Sequence, residues 1–294
     1  MTLTIVAVTY SPGQSLTDFL DSLPRATAGD YRVLLADNGS TDGAPQRAAQ
    51  RPEVDLLATG GNLGYGRAAN LGVAATEGDW VVVCNPDVIW APGSLDELMR
   101  ATRRWPRAAA LGPLIRTATG QVYPSARELP SLARGIGHAL FGAIWPANPW
   151  TRSYRREQQP VEREAGWLSG SCLLLRRAAF ESVGGFDPGY FMYFEDVDLG
   201  QRLGRAGWLN VYVPSAEIVH TGSHATANHK QAMFLEHHRS AYRYLARRYP
   251  GRRWAPLRAL LWTGLMARAR LAPPVIEFMQ RRAASRPTRS EPHE

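Results

Sequence analysis

YRVLLADNGSTDG, residues 31–43, runs Val33, Leu34, Leu35 and Ala36 together and then turns polar at Asp37. A short apolar run closed by Asn, Gly, Ser and Asp predicts a strand that ends in a tight turn. Strands apolar on both faces belong to parallel sheets covered by helices. The flanking sequence keeps that rhythm. Upstream, LTIVAVTY (3–10) reads as a strand and SLTDFLDSL (15–23) as a helix, with Ser15 a candidate N-cap and Leu16, Phe19, Leu20 and Leu23 on one face. Downstream, TDGAPQRAAQR (41–51) predicts a helix, VDLLAT (54–59) a strand, NLGYGRAANLGVAAT (62–76) a helix, WVVVCNPDV (80–88) a strand and residues 94–104 a helix. This alternation predicts an α/β fold, a Rossmann-like and mainly parallel sheet flanked by helices. Ligands of such sheets sit beyond the C-terminal ends of the strands. Here those ends are Thr9-Tyr10, Asp37-Asn38-Gly39-Ser40 and Asn85-Pro86-Asp87, all polar, and the topology predicts one shared rim.

The second half is less regular. Residues 113–165 are rich in Pro, Gly and Arg around an apolar patch, LFGAIWPANPW (140–150). GWLSGSCLLLRR (166–177) reads as one strand, AAFESV (178–183) as a short helix and GGFDPGYF (184–191) as a turn. FMYFEDVDLGQRL (191–203) then opens a helix whose Leu199, Leu203 and Ala206 share a face; WLNVYVP (208–214) is a strand and residues 229–248 a helix.

With 294 residues, 45% of them hydrophobic, the chain can bury one large core or two small ones. Two cysteines, Cys84 and Cys172, each in an apolar run, exclude a disulfide framework and favour a reducing compartment. MTLTIVAVTY lacks a basic n-region and reads as a strand, not a signal peptide. GIGHALFGAIWP (135–146) and ALLWTGLMA (259–267) are too short to span a bilayer. Charge is uneven: from Lys230 onward 14 basic and 4 acidic residues give +10, against −2 for the rest. ALLWTGLMARARL interleaves Trp and Leu with Arg, a composition of either an interfacial helix on an anionic membrane or a solvated basic helix, while nucleic-acid binding rests on the basic tail alone.

Several residues could carry chemistry. Asp37 is either a turn former or a carboxylate that accepts the ring N–H of a pyrimidine. GGNLGYGRAAN (60–70) is not G-x-G-x-x-G, but a Gly-rich loop entering a helix could cradle a diphosphate with its amides. Asp87 could be a partial ligand for Mg2+ or Mn2+, which take oxygen ligands and complete their shells with phosphate and water. His220 follows a strand-like run as a core residue or a ligand. Glu195, Asp196 and Asp198 crowd three carboxylates behind aromatic rings, where ionisation is costly. A helix start answers part of that charge, and a carboxylate so placed can act as a general base.

Taken together, IVAVTYSPG, LLADNGSTDG, GNLGYGRAAN, VCNPDV, WLSGSCLLLRR, GGFDPGYFMYFEDVDLGQRLGRAGW and EIVHTGSH resemble the family-2, GT-A-fold inverting glycosyltransferases over residues 3–225, in their rhamnosyltransferase-like branch. The resemblance implies a GT-A domain over 1–228, with a nucleotide-binding half to about 112 and an acceptor half to 228. A basic amphipathic, membrane-associating helical extension over 229–282 and a disordered tail over 283–294 would follow. It implies that Thr9, Tyr10, Asp37, Asn38, Asn62, Gly64 and Asn85 hold the nucleotide and that Asp87 and His220 bind a divalent metal, Mg2+ or Mn2+. Asn85 stands where the family's D-x-D has its first Asp. Asp196, beside Glu195, would be the catalytic base, with Trp167, Ser169 and Gly170 near the acceptor. The donor implied is dTDP-L-rhamnose and the acceptor polyprenyl-diphosphoryl-GlcNAc of arabinogalactan-linker synthesis in the cell wall. The implied location is cytoplasmic, peripheral on the inner face of the plasma membrane, with no nucleic-acid partner. Residue chemistry alone leaves open another sugar, such as galactofuranose or a hexose, and a non-catalytic scaffold binding nucleotide sugar or lipid.

Overall fold

A computed structural model describes residues 2–130, 160–222 and 230–284. The apolar patch at 135–150, His224, His229 and the last ten residues lie outside the described residues. The chain forms two compact units, 1–227 and 228–294.

In the first unit the elements run β1 (Leu3–Thr9), α1 (Ser15–Ala26), β2 (Tyr31–Asp37), α2 (Ala44–Ala48), β3 (Val54–Ala58), α3 (Tyr65–Ala74), β4 (Trp80–Cys84), β5 (Val88–Trp90), α4 (Ser94–Arg104), β6 (Ala108–Thr117), β7 (Val122–Tyr123), β8 (Ala126–Arg127), β9 (Arg163–Ala165), β10 (Trp167–Leu168), β11 (Cys172–Arg176), α5 (Arg177–Ser182), α6 (Glu195–Arg205) and β12 (Leu209–His220). The main sheet has the order β3-β2-β1-β4-β11-β6-β12-β5. β3, β2, β1 and β4 are parallel neighbours, as are β6 and β12, while β11 runs antiparallel between β4 and β6.

Alternation along the strands supplies both faces with a core. Ile5, Ala7, Val33, Leu35 and Val82 pack under Leu16, Phe19, Leu23, Leu95 and Leu98 of α1 and α4. Val6, Val8, Leu34, Ala36, Val81 and Val83 pack under Ala68, Ala69 and Val73 of α3, Phe180 of α5 and Leu199 and Leu203 of α6. Ala206, expected on that same face, caps α6 and is exposed.

Three runs expected to be continuous are reshaped. The strand at 80–88 stops at Cys84, because Asn85-Pro86-Asp87 turns the chain before β5 pairs antiparallel with β12. The run at 166–177 breaks at Ser169–Ser171, since β10 joins β8 in a separate two-stranded sheet and β11 enters the main one. The strand expected to end at 214 continues to His220 through a register shift between Val213 and Glu217, where Pro214 cannot donate to a ladder.

The second unit is a pair of packed helices, α7 (Lys230–Arg248) and α8 (Ala255–Ala284), joined through a short 3-10 turn at Arg252–Trp254. Among the described residues no helix is long and apolar enough to cross a membrane.

Candidate active site

Register places the polar strand ends together. Thr9 pairs with Asp37, Ala7 with Cys84, and Cys172 with Cys84, so the ends of β1, β2 and β4 and the start of antiparallel β11 share one rim. His220 ends β12 opposite Val88, which brings it to the same turn as Asp87.

At one side of the rim, buried Thr9 donates its hydroxyl to Asp37 Oδ1 over 3.1 Å, and Ser40 N–H donates to the same oxygen at 3.1 Å. Among the described residues Asp37 Oδ2 carries no hydrogen bond, and the exposed Tyr10 follows Thr9 in the chain. Asn38 spends both ends inside the protein. Its Oδ1 accepts from Leu63 N–H at 2.8 Å and its amide donates to Asn62 Oδ1 at 3.1 Å. Gly64 N–H also turns to Asn62 Oδ1, and Tyr65 N–H donates to the Phe191 carbonyl at 3.0 Å. Three amides of the Gly-rich loop are thus taken, and a phosphate cradled there would have to displace them. Gly64 has φ +86°, and a methyl group at its Cβ would lie 2.2 Å from the Phe191 carbonyl oxygen, so only glycine fits this contact.

Next along the rim, Asp87 Oδ1 lies 3.1 Å from His220 Nε2, and Asn85 Nδ2 lies 3.1 Å from the same nitrogen. Asp87 Oδ2 accepts from Gly222 N–H, but Oδ1 is buried without a hydrogen bond. Nε2 has a single in-plane position, which either accepts from the Asn85 amide or carries a proton or cation shared with the orphaned Asp87 oxygen. Two electron-rich atoms at this separation need a proton or a cation between them. One carboxylate oxygen and one imidazole nitrogen fit a divalent metal that completes its shell with phosphate and water. Among the described residues no group of three or more His, Cys, Asp or Glu could hold a metal by protein ligands alone.

The carboxylates at α6 divide their roles. Asp198 is buried and pairs with Arg202 one turn on, at 2.6 Å, so its charge is answered within the helix. Asp196 is half-buried: Oδ2 accepts from Gly170 N–H at 2.9 Å and Oδ1 from Val197 N–H at 2.8 Å. Glu195 is buried, and its Oε2 has no hydrogen bond. Burial raises the pKa of both Glu195 and Asp196; the neighbouring Asp196 raises Glu195 further, whereas two N–H donors and the Arg127 charge oppose the rise at Asp196. Adjacent buried carboxyls do not ionise together. Glu195, whose Oε2 has no hydrogen bond, is the one placed to keep the proton, and Asp196, with two N–H donors and the Arg127 charge behind it, to carry the charge. Tyr193 and Phe194, with φ of 68° and 67°, aim the helix start at the rim from left-handed backbone. Such strain costs about 1–3 kcal/mol per residue and gathers at functional sites.

Asn85 N–H donates to the Ser171 carbonyl at 2.9 Å, one residue from Gly170, so the Asp87–His220 pair and Asp196 border one stretch of rim. Trp167 and Ser169 precede Gly170 in the same stretch of chain. The Trp167 indole donates to the Glu128 carbonyl, its Cβ would meet a methyl placed on Gly200 of α6 at 2.8 Å, and Ser169 Oγ bonds Ser171 Oγ. Sequence reasoning missed Arg127. It pairs across β8–β10 with Trp167, lies over the Tyr123 and Trp167 rings at 5.8 and 5.9 Å, and acts electrostatically on Asp196. It missed Phe191 and Ser171 too, which act through main-chain carbonyls that carry no side-chain signal.

Residues 4–184 match the family Glycosyl transferase family 2, and residues 149–279 match Glycosyl transferase family group 2. The chain is 58% identical over 282 residues to the N-acetylglucosaminyl-diphospho-decaprenol L-rhamnosyltransferase of Mycobacterium tuberculosis (strain CDC 1551 / Oshkosh), across 92% of each chain. Rhamnosyltransferase WbbL of Escherichia coli (strain K12) is 28% identical over 252 residues, 83% of this chain and 92% of that one. Among solved structures, the mannosyltransferase PcManGT from Pyrobaculum calidifontis, in complex with GDP-Man and Mn2+, has the same fold, with a TM-score of 0.58 at 17% identity over 97% of this chain and 76% of the other.

Proposed function

This chain belongs to glycosyl transferase family 2 and has the GT-A fold, and on that premise we propose that it moves L-rhamnose from dTDP-L-rhamnose onto the GlcNAc of a polyprenyl-diphosphate acceptor, with inversion. The observation that carries the reading is the 58% identity to a rhamnosyltransferase of that acceptor class over nearly the full length of both chains.

The rim residues divide the work. Asp37 Oδ2 accepts the N–H of the thymine ring, with Thr9 and Ser40 holding the carboxylate in place. Asn38 and Asn62 keep the Gly-rich loop against it. Asp87 and His220 would hold Mg2+ or Mn2+, which when bound supplies positive charge for the departing diphosphate; the Asn85 amide, 3.1 Å from His220 Nε2, would have to give up that nitrogen. The acceptor hydroxyl approaches the anomeric carbon from the face opposite the diphosphate, and Asp196 takes its proton. Glu195, held neutral by burial, adds no second negative charge beside the base. A glycosidase needs a second carboxyl to protonate its leaving group, whereas a diphosphate departs as a stable anion.

In the second unit, Trp254, Leu260 and Trp262 are exposed on or beside α8, Leu260 to 70%, among Arg252, Arg253, Arg268 and Arg270. Apolar side chains set among arginines suit peripheral binding to an anionic bilayer, where a polyprenyl-linked acceptor resides.

A panel of nucleotide sugars with a polyprenyl-diphosphoryl-GlcNAc analogue, run with and without chelator, tests the whole reading. Turnover with dTDP-L-rhamnose that chelator abolishes is the expected result. Faster turnover with UDP-galactofuranose or a nucleotide hexose would overturn the donor assignment.

A further inference from the structure

We propose that Tyr65 is a positioning residue for Asp196, acting through the backbone of Gly170; the inference rests on Asp196 being the base. Tyr65 opens α3 immediately after the Gly-rich loop, so it stands on the nucleotide side of the rim. Its hydroxyl donates to the Gly170 carbonyl at 2.7 Å, a contact 105 residues distant in sequence. The same Gly170 donates its N–H to Asp196 Oδ2 at 2.9 Å. One glycine is thus gripped from both sides, by the tyrosine at its carbonyl and by the carboxylate at its amide.

The surroundings make the grip matter. Gly170 lies at the break where the chain leaves the β8–β10 pair and enters the main sheet, outside both ladders. The neighbouring contacts within this turn are long: Ser171 N–H to Ser169 Oγ at 3.4 Å and Cys172 N–H to the Ser169 carbonyl at 3.5 Å. The Tyr65 bond is the one made to the Gly170 carbonyl, while Ser169 N–H to the Ser125 carbonyl at 2.8 Å and Asn85 N–H to the Ser171 carbonyl at 2.9 Å hold the residues on either side. Tyr65 is itself held firmly, its ring edge-on to fully buried Phe186 with centroids 6.1 Å apart and its N–H on the Phe191 carbonyl. Phe191 begins the segment that leads through Tyr193 and Phe194 into α6. Tyr65 therefore fixes Gly170 by its side chain and the approach to Asp196 by its main chain. A methyl group at 170 would crowd Asp196, lying 3.3 Å from its Cβ and 3.5 Å from Oδ2, so the carboxylate would have to give by a few tenths of an ångström.

Loss of the hydroxyl frees the Gly170 carbonyl to turn and draws its N–H off Asp196. The carboxylate then keeps one of its two N–H donors, and its ionised form is less favoured. Tyr65→Phe retains the ring and removes the bond. Expected are a kcat about tenfold lower, an acidic limb of the pH–rate profile displaced to higher pH, donor binding by calorimetry within about twofold of the parent, and a melting temperature lowered by about 4 °C or less. Gly170→Ala, which presses on Asp196 with Tyr65 intact, should move the limb the same way, and in the double variant the two effects should fall short of additive. An unmoved limb in Tyr65→Phe, alongside an inactive Asp196→Asn, overturns the positioning role and leaves the base in place. A kcat loss matched by an equal loss of donor affinity also overturns it, because the residue would then serve the nucleotide site alone. Turnover retained by Asp196→Asn removes the base and this inference with it.

Discussion

Replacing Asp196 by asparagine separates its chemical role from its structural one. The carboxylate accepts two backbone N–H groups, from Gly170 and Val197. An asparagine side chain has one carbonyl oxygen, so one of those donors would face an NH2 group and lose its partner, at about 1–3 kcal/mol. Against this, the ionised carboxylate is held where burial disfavours its charge, and the neutral amide escapes that penalty. The two effects oppose, so Asp196→Asn should change unfolding free energy at neutral pH by no more than about 2 kcal/mol. Transfer should fall by about 10²–10⁴-fold, the usual range for a general base. The sign of the pH effect follows from the raised pKa. Protonated Asp196 favours the folded state, so the parent has this contribution in full below the unfolded carboxylate pKa and loses it as pH rises through the folded one. The variant lacks that dependence and should gain on the parent as pH rises. Transfer kinetics, dTDP binding by calorimetry and urea unfolding at acid and neutral pH measure all three quantities. Transfer within tenfold of the parent would refute the assignment, as would a loss of nucleotide affinity equal to the loss of rate.

For the parent enzyme, the acidic limb of kcat/KM should lie above the ordinary aspartate range, because burial lifts Asp196, and Arg127→Gln, which removes an opposing charge, should push it higher. His220→Gln should raise the Mn2+ concentration giving half-maximal rate by at least about tenfold, measured by titration into metal-stripped enzyme. Gly64→Ala must carry a methyl at φ +86° against the Phe191 carbonyl, so urea melts should show a loss above about 1 kcal/mol. Leu260→Glu combined with Trp262→Glu in the full chain should lower flotation with anionic liposomes by about tenfold or more while leaving turnover on a soluble acceptor intact.

Local pattern was enough for the parallel half of the sheet. In β1, β2 and β4 an apolar run and its polar terminus are contiguous, and covered strands need little else to declare themselves. β6 (Ala108–Thr117) was harder to read, since Gly112 and Pro113 interrupt it, and the structure accommodates them opposite Tyr212 and Val213 of β12. The cluster at 195–198 announced that charge was concentrated, but not that Arg202 answers Asp198 while Glu195 Oε2 is buried without a hydrogen bond; helix phase and burial decide that.

By itself, then, the amino-acid order determined which strands would be buried on both faces and which side chains would stand at their ends, because both depend on neighbours within a few residues. Only the tertiary structure decided that Asp87 meets His220 across more than a hundred positions, that Gly170 holds Asp196, and that the amides of Leu63, Gly64 and Tyr65 are already taken. Those outcomes depend on strand register and on main-chain donors and acceptors, which every residue carries alike and no side-chain pattern can announce.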